Sequence, residues 1–146
     1  MIAQEIVQAD NNLVNRLILV GTGTRAGHGI GEVTQVTFAD IFKASLHRTD
    51  PKRYIFYNHD AEGKVEADKV LNRIASRSKE MADKPIALAS FLRQLRAIRR
   101  WGKADADDLT YITQPTLIVN GDNDTMVPTE NSYDMHSKIH KSQLII

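Results

Sequence analysis

The sequence predicts an α/β fold built on a small parallel sheet, and three observations carry the prediction. Arg16-Leu17-Ile18-Leu19-Val20 is a continuous apolar run closed by Gly21. Pro115-Thr116-Leu117-Ile118-Val119 is a second, followed within two residues by Gly121. Runs of this kind suit strands of a parallel sheet covered on both faces. The third observation is that from Thr24 to about Asp108 there is no further strand-like run, only helical periodicities.

Taken in order, Ile2, Ala3, Ile6 and Val7 recur at helical spacing, and Asp10-Asn11-Asn12 supplies a polar stop. No N-cap residue precedes this helix. After the first strand, Phe38, Ile41, Phe42 and Ala44 to Leu46 form one apolar stripe, broken at Asp50-Pro51 because proline cannot extend a preceding helix. Tyr54 to Tyr57 make a short aromatic cluster, and Asp60-Ala61-Glu62-Gly63 reads as a turn. Val65, Ala67, Val70, Leu71, Ile74 and Ala75 give the next helix. Beyond Lys84-Pro85, the positions Leu88, Phe91, Leu92, Leu95 and Ile98 mark a longer helix for which Gly102 is a reasonable C-cap. Past the second strand, Pro128-Thr129-Glu130 predicts a helix start, with Thr129 capping and Glu130 complementing the helix dipole. That helix is expected to run to about His140, and Gln143 to Ile146 to begin a third strand.

The bulk properties narrow the field. A chain of 146 residues with 42% hydrophobic content and a net charge of +1 has the composition of one soluble globular domain. A pI near 8.0 gives no electrostatic reason to expect a nucleic-acid partner. The absence of cysteine rules out disulfides, thiolate metal sites and a cysteine nucleophile within the chain. No apolar run approaches the ~18 residues of a membrane span, so no membrane partner is expected and a cytoplasmic product is.

The second strand delivers Asp122 and Asp124 into a turn at its carboxyl end, where open α/β sheets hold their chemistry. The stretch from Gln114 to Pro128 closely resembles the strand and acid loop of the α/β-hydrolase family, and Met1-Ile2-Ala3-Gln4 resembles the start of the helix that follows the family's nucleophile. The resemblance extends over essentially the whole chain. It implies an α/β fold with a partial parallel sheet and a helical cap insertion: residues 1–23 as partial core, 24–108 as the cap, and 109–146 as core with the acid loop and the start of the last strand. In that family the aspartate three places after the strand-ending glycine orients the catalytic histidine, and that place is held by Asp124. Asp122 is the rival, at a position that more often shapes the turn. No Gly-x-Ser-x-Gly occurs in the sequence. The match implies a serine about four residues upstream of Met1 and a Gly-His pair beyond Ile146.

The resemblance therefore implies a parent enzyme that hydrolyses an ester-like bond in a small, partly apolar substrate, with no cofactor and no metal. The isolated chain is expected to be inactive and prone to self-association through its uncovered sheet edge. A non-catalytic fragment or partner-binding remnant is the alternative. A dinucleotide-binding fragment is a weaker one, because Gly21-Thr22-Gly23-Thr24-Arg25-Ala26 lacks the strand-helix-strand frame that the fingerprint needs. His28-Gly29 would make an oxyanion loop only with a nucleophile elbow downstream, and Ser76, Ser78 and Ser90 lack the flanking glycines. His136 and His140 stand four apart without an acidic metal partner. Arg93, Arg96, Arg100 and Lys103 read as a solvated helix face that Asp105, Asp107 and Asp108 balance. Tyr54, Phe56, Tyr57, Phe91 and Trp101 could line an apolar pocket or form core.

Overall fold

The computed structural model describes residues 1–78 and 80–146. The chain forms two compact units, one made of Met1–Thr34 with Gln94–Ile146 and the other of Gln35–Arg93. In chain order the elements are α1 (Ile2–Ala9), β1 (Leu17–Val20), α2 (Val33–Leu46), α3 (Lys52–Phe56), α4 (Ala61–Ala75), α5 (Leu88–Gly102), β2 (Thr116–Val119), α6 (Glu130–Lys138) and β3 (Ser142–Ile145). No helix among the described residues is long and apolar enough to cross a membrane.

The larger unit holds a three-stranded parallel sheet in the order β1-β2-β3. Leu19, Ile118 and Leu144 lie in register across it, as do Val20, Val119 and Ile145. Because side chains alternate between faces, these rows belong to opposite sides of the sheet. On the first side Leu17, Leu19 and Ile118 pack with Val7 of α1, with Met135 of α6 and with Leu109, Ile112 and Ile139 into one core. The other side is open: Ile18 and Val20 are each 64% exposed and Ile145 is 55% exposed. The expectation of strands covered on both faces is thus corrected, since α1 and α6 lie on the same side. Leu109, fully buried, takes a left-handed backbone with φ 58°, and its amide donates to Asp107 Oδ1 at 3.1 Å. A bulky residue in that region costs about 1–2 kcal/mol, which the surrounding core offsets.

Local chemistry explains the other departures from the sequence reading. In α1 the inward residues are Gln4 and Val7, while Ile2 and Ile6 face solvent. The buried Gln4 amide is half satisfied: its Nε2 donates to Gly23 O at 3.0 Å, while its Oε1 has no partner among the described residues. The segment Asp60–Gly63 is a helix start rather than a turn: Asp60 caps α4, its carboxylate accepting the Gly63 amide at 2.7 Å. Gly102 is the last residue of α5 rather than a cap beyond it, and a side chain there would collide with the backbone of Gly31. Close approach is what requires glycine at that point.

The smaller unit contains α3, α4, most of α2 and the first turns of α5. Ala44 and Ala67 are fully buried in it, Phe91 meets Phe38 edge-on at 6.5 Å, and Arg53 pairs with Asp68. Phe56 is exposed and Tyr54 and Tyr57 are half-buried.

The one-sided sheet makes a direct prediction. Ile118→Ala removes a fully buried side chain and should lower unfolding stability by about 2–5 kcal/mol. Ile18→Ala, on the open side of the neighbouring strand, should cost about 1 kcal/mol or less. Urea denaturation of both variants checks the contrast, and equal losses would contradict the open face.

Candidate functional site

The carboxyl ends of β1 and β2 lie side by side, and the candidate site is built there. Gly21 closes β1, its amide donating to Val119 O at 2.9 Å, and its φ of +51° turns the chain out of the sheet. That conformation suits glycine, which has no Cβ to crowd it. A Cβ on Gly21 would lie 3.8 Å from Asn120 Oδ1 and 4.0 Å from Asp124 Oδ2, so the acid loop flanks this turn.

The acid loop is held from several sides. The backbone of Asn120 continues the sheet, its amide donating to Ile145 O at 3.1 Å, while its side-chain Nδ2 reaches across the loop to Val127 O at 3.1 Å. Asp124 Oδ1 accepts the amides of Met126 and Val127, both at 2.9 Å. Thr129 Oγ1 donates to Gly121 O at 2.6 Å and lies 3.1 Å from Asp122 O. Thr129 therefore does not cap α6 with its side chain, contrary to the sequence expectation. Its hydroxyl ties the far end of the loop back to the near end.

The two aspartates fare differently. Asp124 is half-buried with one oxygen committed to the turn, and its Oδ2 has no donor among the described residues. Asp122 is exposed, and its side chain makes no hydrogen bond among the described residues. Beside Asp124, Asn120 Oδ1 is buried without a partner. Both free oxygens lie toward Gly21. An ionised carboxylate only accepts hydrogen bonds, so this corner can receive and orient an N–H donor and cannot supply a proton.

The other candidates do not join this corner. The segment after β1 runs through turns to a short 3-10 stretch at Ile30–Glu32 instead of opening a helix. Within it Arg25 is engaged by Glu5 and Gln8, each at 2.6 Å, and lies over the Trp101 ring at 5.3 Å. Its hydrogen bond to Glu5 raises the pKa of the guanidinium. Trp101 is 9% exposed and belongs to the interior. His136 meets Ser142 Oγ at 2.8 Å, and no group of three or more His, Cys, Asp or Glu suited to a metal occurs among the described residues. Asp107 and Asp108 are turned to local duties. Asp107 accepts from the Tyr111 hydroxyl at 3.0 Å, and burial together with that carboxylate pushes the Tyr111 pKa up. Asp108 accepts from Thr110, which lowers its own pKa.

Sequence reasoning missed Asn120 and the role of Thr129. A polar residue ending an apolar strand was the available signal for the first. The second had none, because a threonine just ahead of a helix reads first as a cap.

No family model matches the sequence, and no curated protein is significantly similar to it. Solved structures do match. An alpha/beta hydrolase fold protein from Chitinophaga pinensis superposes with a TM-score of 0.82 at 24% identity, over 99% of this chain and 52% of that one. MGS-M2, an alpha/beta hydrolase enzyme from a Medee basin deep-sea metagenome library, follows with a TM-score of 0.59 at 16% identity, over 99% of this chain and 51% of that one. The chain thus spans about half the length of the structures it resembles.

Thr129→Val tests the loop's bracing. Loss of its hydroxyl should lower stability by about 0.5–1.5 kcal/mol. Amide exchange should quicken at Asp122 to Val127 while staying unchanged in the β2 strand, as followed by hydrogen-exchange NMR.

Proposed function

The chain has the fold of about half of an α/β hydrolase, and from that premise we propose that it is part of a cytoplasmic enzyme of this kind, one that hydrolyses an ester-like bond in a small, partly apolar substrate. Asp124 is the acid of its catalytic triad, and the helical unit Gln35–Arg93 serves as the cap. The observation that carries this reading is the division of labour at Asp124. Oδ1 is fixed by the amides of Met126 and Val127, and Oδ2 is left without a donor beside Gly21. A carboxylate held in this way can accept the distal N–H of a histidine, set its tautomer and stabilise the imidazolium that forms when the nucleophile loses its proton. The serine attacks, backbone amides hold the oxyanion, and water releases the covalent intermediate. None of these steps calls for a metal or an organic cofactor.

A sequence without Gly-x-Ser-x-Gly supplies no nucleophile elbow of its own. The 146-residue chain should therefore give neither a burst nor steady turnover with a simple aryl ester, and a signal that survives stringent purification would contradict the proposal. The acid is tested in a longer polypeptide read from the flanking coding DNA. There Asp124→Asn should lower kcat by roughly 10⁴-fold, while Asp122→Asn changes it only a few-fold. The reverse ranking would transfer the role to Asp122.

A second reading, a partner-binding remnant, is favoured by one observation: Ile18 and Val20 are 64% exposed on an edge strand. Apolar edges pair with other chains. The isolated chain should self-associate in size-exclusion chromatography with light scattering, and Val20→Lys should reduce that association.

A further inference from the structure

In the smaller unit the apolar stripe of α2 points away from the core. Phe42 and Leu46 are each 72% exposed and Phe38 46%, whereas the buried side of the helix carries Thr37, Asp40 and Ala44. Thr37 Oγ1 is buried there without a partner among the described residues. Steps of four residues keep Phe38, Phe42 and Leu46 on one line along the helix. Phe38 meets Phe91 of α5 edge-on at 6.5 Å, and on that helix Leu88 and Leu92 are also exposed, at 71% and 41%. Large apolar side chains gathered in this way mark a contact face.

The charges beside the stripe choose the partner. At helical spacing the line of Leu88 and Leu92 continues along α5 into Arg96, Arg99 and Lys103. All three cations are exposed, and none makes an ion pair among the described residues. The aspartates expected to balance them include two that serve elsewhere: Asp107 accepts from Tyr111 and from the Leu109 amide, and Asp108 from Thr110. From Lys84 to Lys103 the sequence has no acidic residue. On α2 the one acid, Asp40, is buried and paired with Lys43 at 3.1 Å.

We propose that this face of α2 and α5 docks on an anionic lipid surface, with Phe38, Phe42, Leu46, Leu88 and Leu92 entering the acyl boundary and Arg96 and Arg99 meeting headgroup phosphates. Helices that lie in a membrane interface combine an apolar side with unneutralised Lys and Arg, and they need no spanning length. A nucleic acid would use the cations and leave the phenylalanines wet. A second copy presenting the same face would set arginine against arginine. The proposal does not depend on whether the protein hydrolyses esters.

The test is flotation of the full chain with vesicles of equal parts phosphatidylglycerol and phosphatidylcholine, against vesicles of phosphatidylcholine alone. Flotation separates bound protein from self-associated protein, which sinks. The chain should float with the anionic vesicles only, and added salt should weaken the binding. Phe42→Ser should lower the partition coefficient about tenfold and Arg96→Gln about fivefold. Val20→Gln, on the open side of the sheet, should leave it unchanged. All three positions are exposed, so the variants should keep the circular dichroism of the folded chain. No flotation, equal flotation with neutral vesicles, unchanged partition in Phe42→Ser, or loss of binding in Val20→Gln would each overturn the proposal.

Discussion

The constraint on which the larger unit depends is the position of β2 between two parallel neighbours. Thr116 to Val119 pair with β1 on one side and with β3 on the other, and the pairing continues past the strand ends through Thr116 to Lys141 and Asn120 to Ile145. Parallel strands cannot be joined by a tight turn, so both pairings are tertiary contacts between distant parts of the chain. Ile118, fully buried at the middle of the strand, then fixes which face turns to the core. A one-residue slip would turn it to the open face and bring Leu117 and Val119 to the core side in its place. Since the acid loop begins at residue 120, its placement is inherited from this register.

What the sheet begins, the loop completes. Five side-chain hydrogen bonds involving Asn120, Asp124 and Thr129 close a segment of about ten residues on itself. Each is worth only about 1 kcal/mol net. Together they leave few alternative geometries, so the Asp124 carboxylate is organised by its own neighbours before any hydrogen-bond donor arrives. Preorganisation of this kind is what makes an acceptor useful to a catalytic base, because the reorganisation has already been made during folding.

The parts legible in the sequence were those written in periodicity and punctuation. Two apolar runs with glycine behind them marked β1 and β2, and helical spacing marked α4 and α5. The Gly121-Asp122-Asn123-Asp124 turn marked the loop. What was not legible depended on tertiary partners. Gln4 lies inside while Ile2 and Ile6 face solvent, and the Gly23 O that receives its Nε2 comes from 19 residues along the chain. Thr129 has the composition of a cap and the geometry of a brace. An apolar run such as Ile18 and Val20 says that a strand can be covered on both faces, and not whether these 146 residues contain the cover. The three strands and the place of the acid loop were thus readable, whereas the groups that orient Asp124 were not.

The sheet partners β1 and β2 are neighbours in space, yet the chain between Val20 and Thr116 travels through a whole helical unit. The entropy of closing such an excursion grows only with the logarithm of its length, so doubling it costs about 0.6 kcal/mol. From the standpoint of the sheet the excursion is almost weightless. Its helices are free to drift, lengthen or be exchanged over evolutionary time while the strand register stays put. The helical unit and the sheet register are thereby placed under nearly independent selection within a single continuous polypeptide.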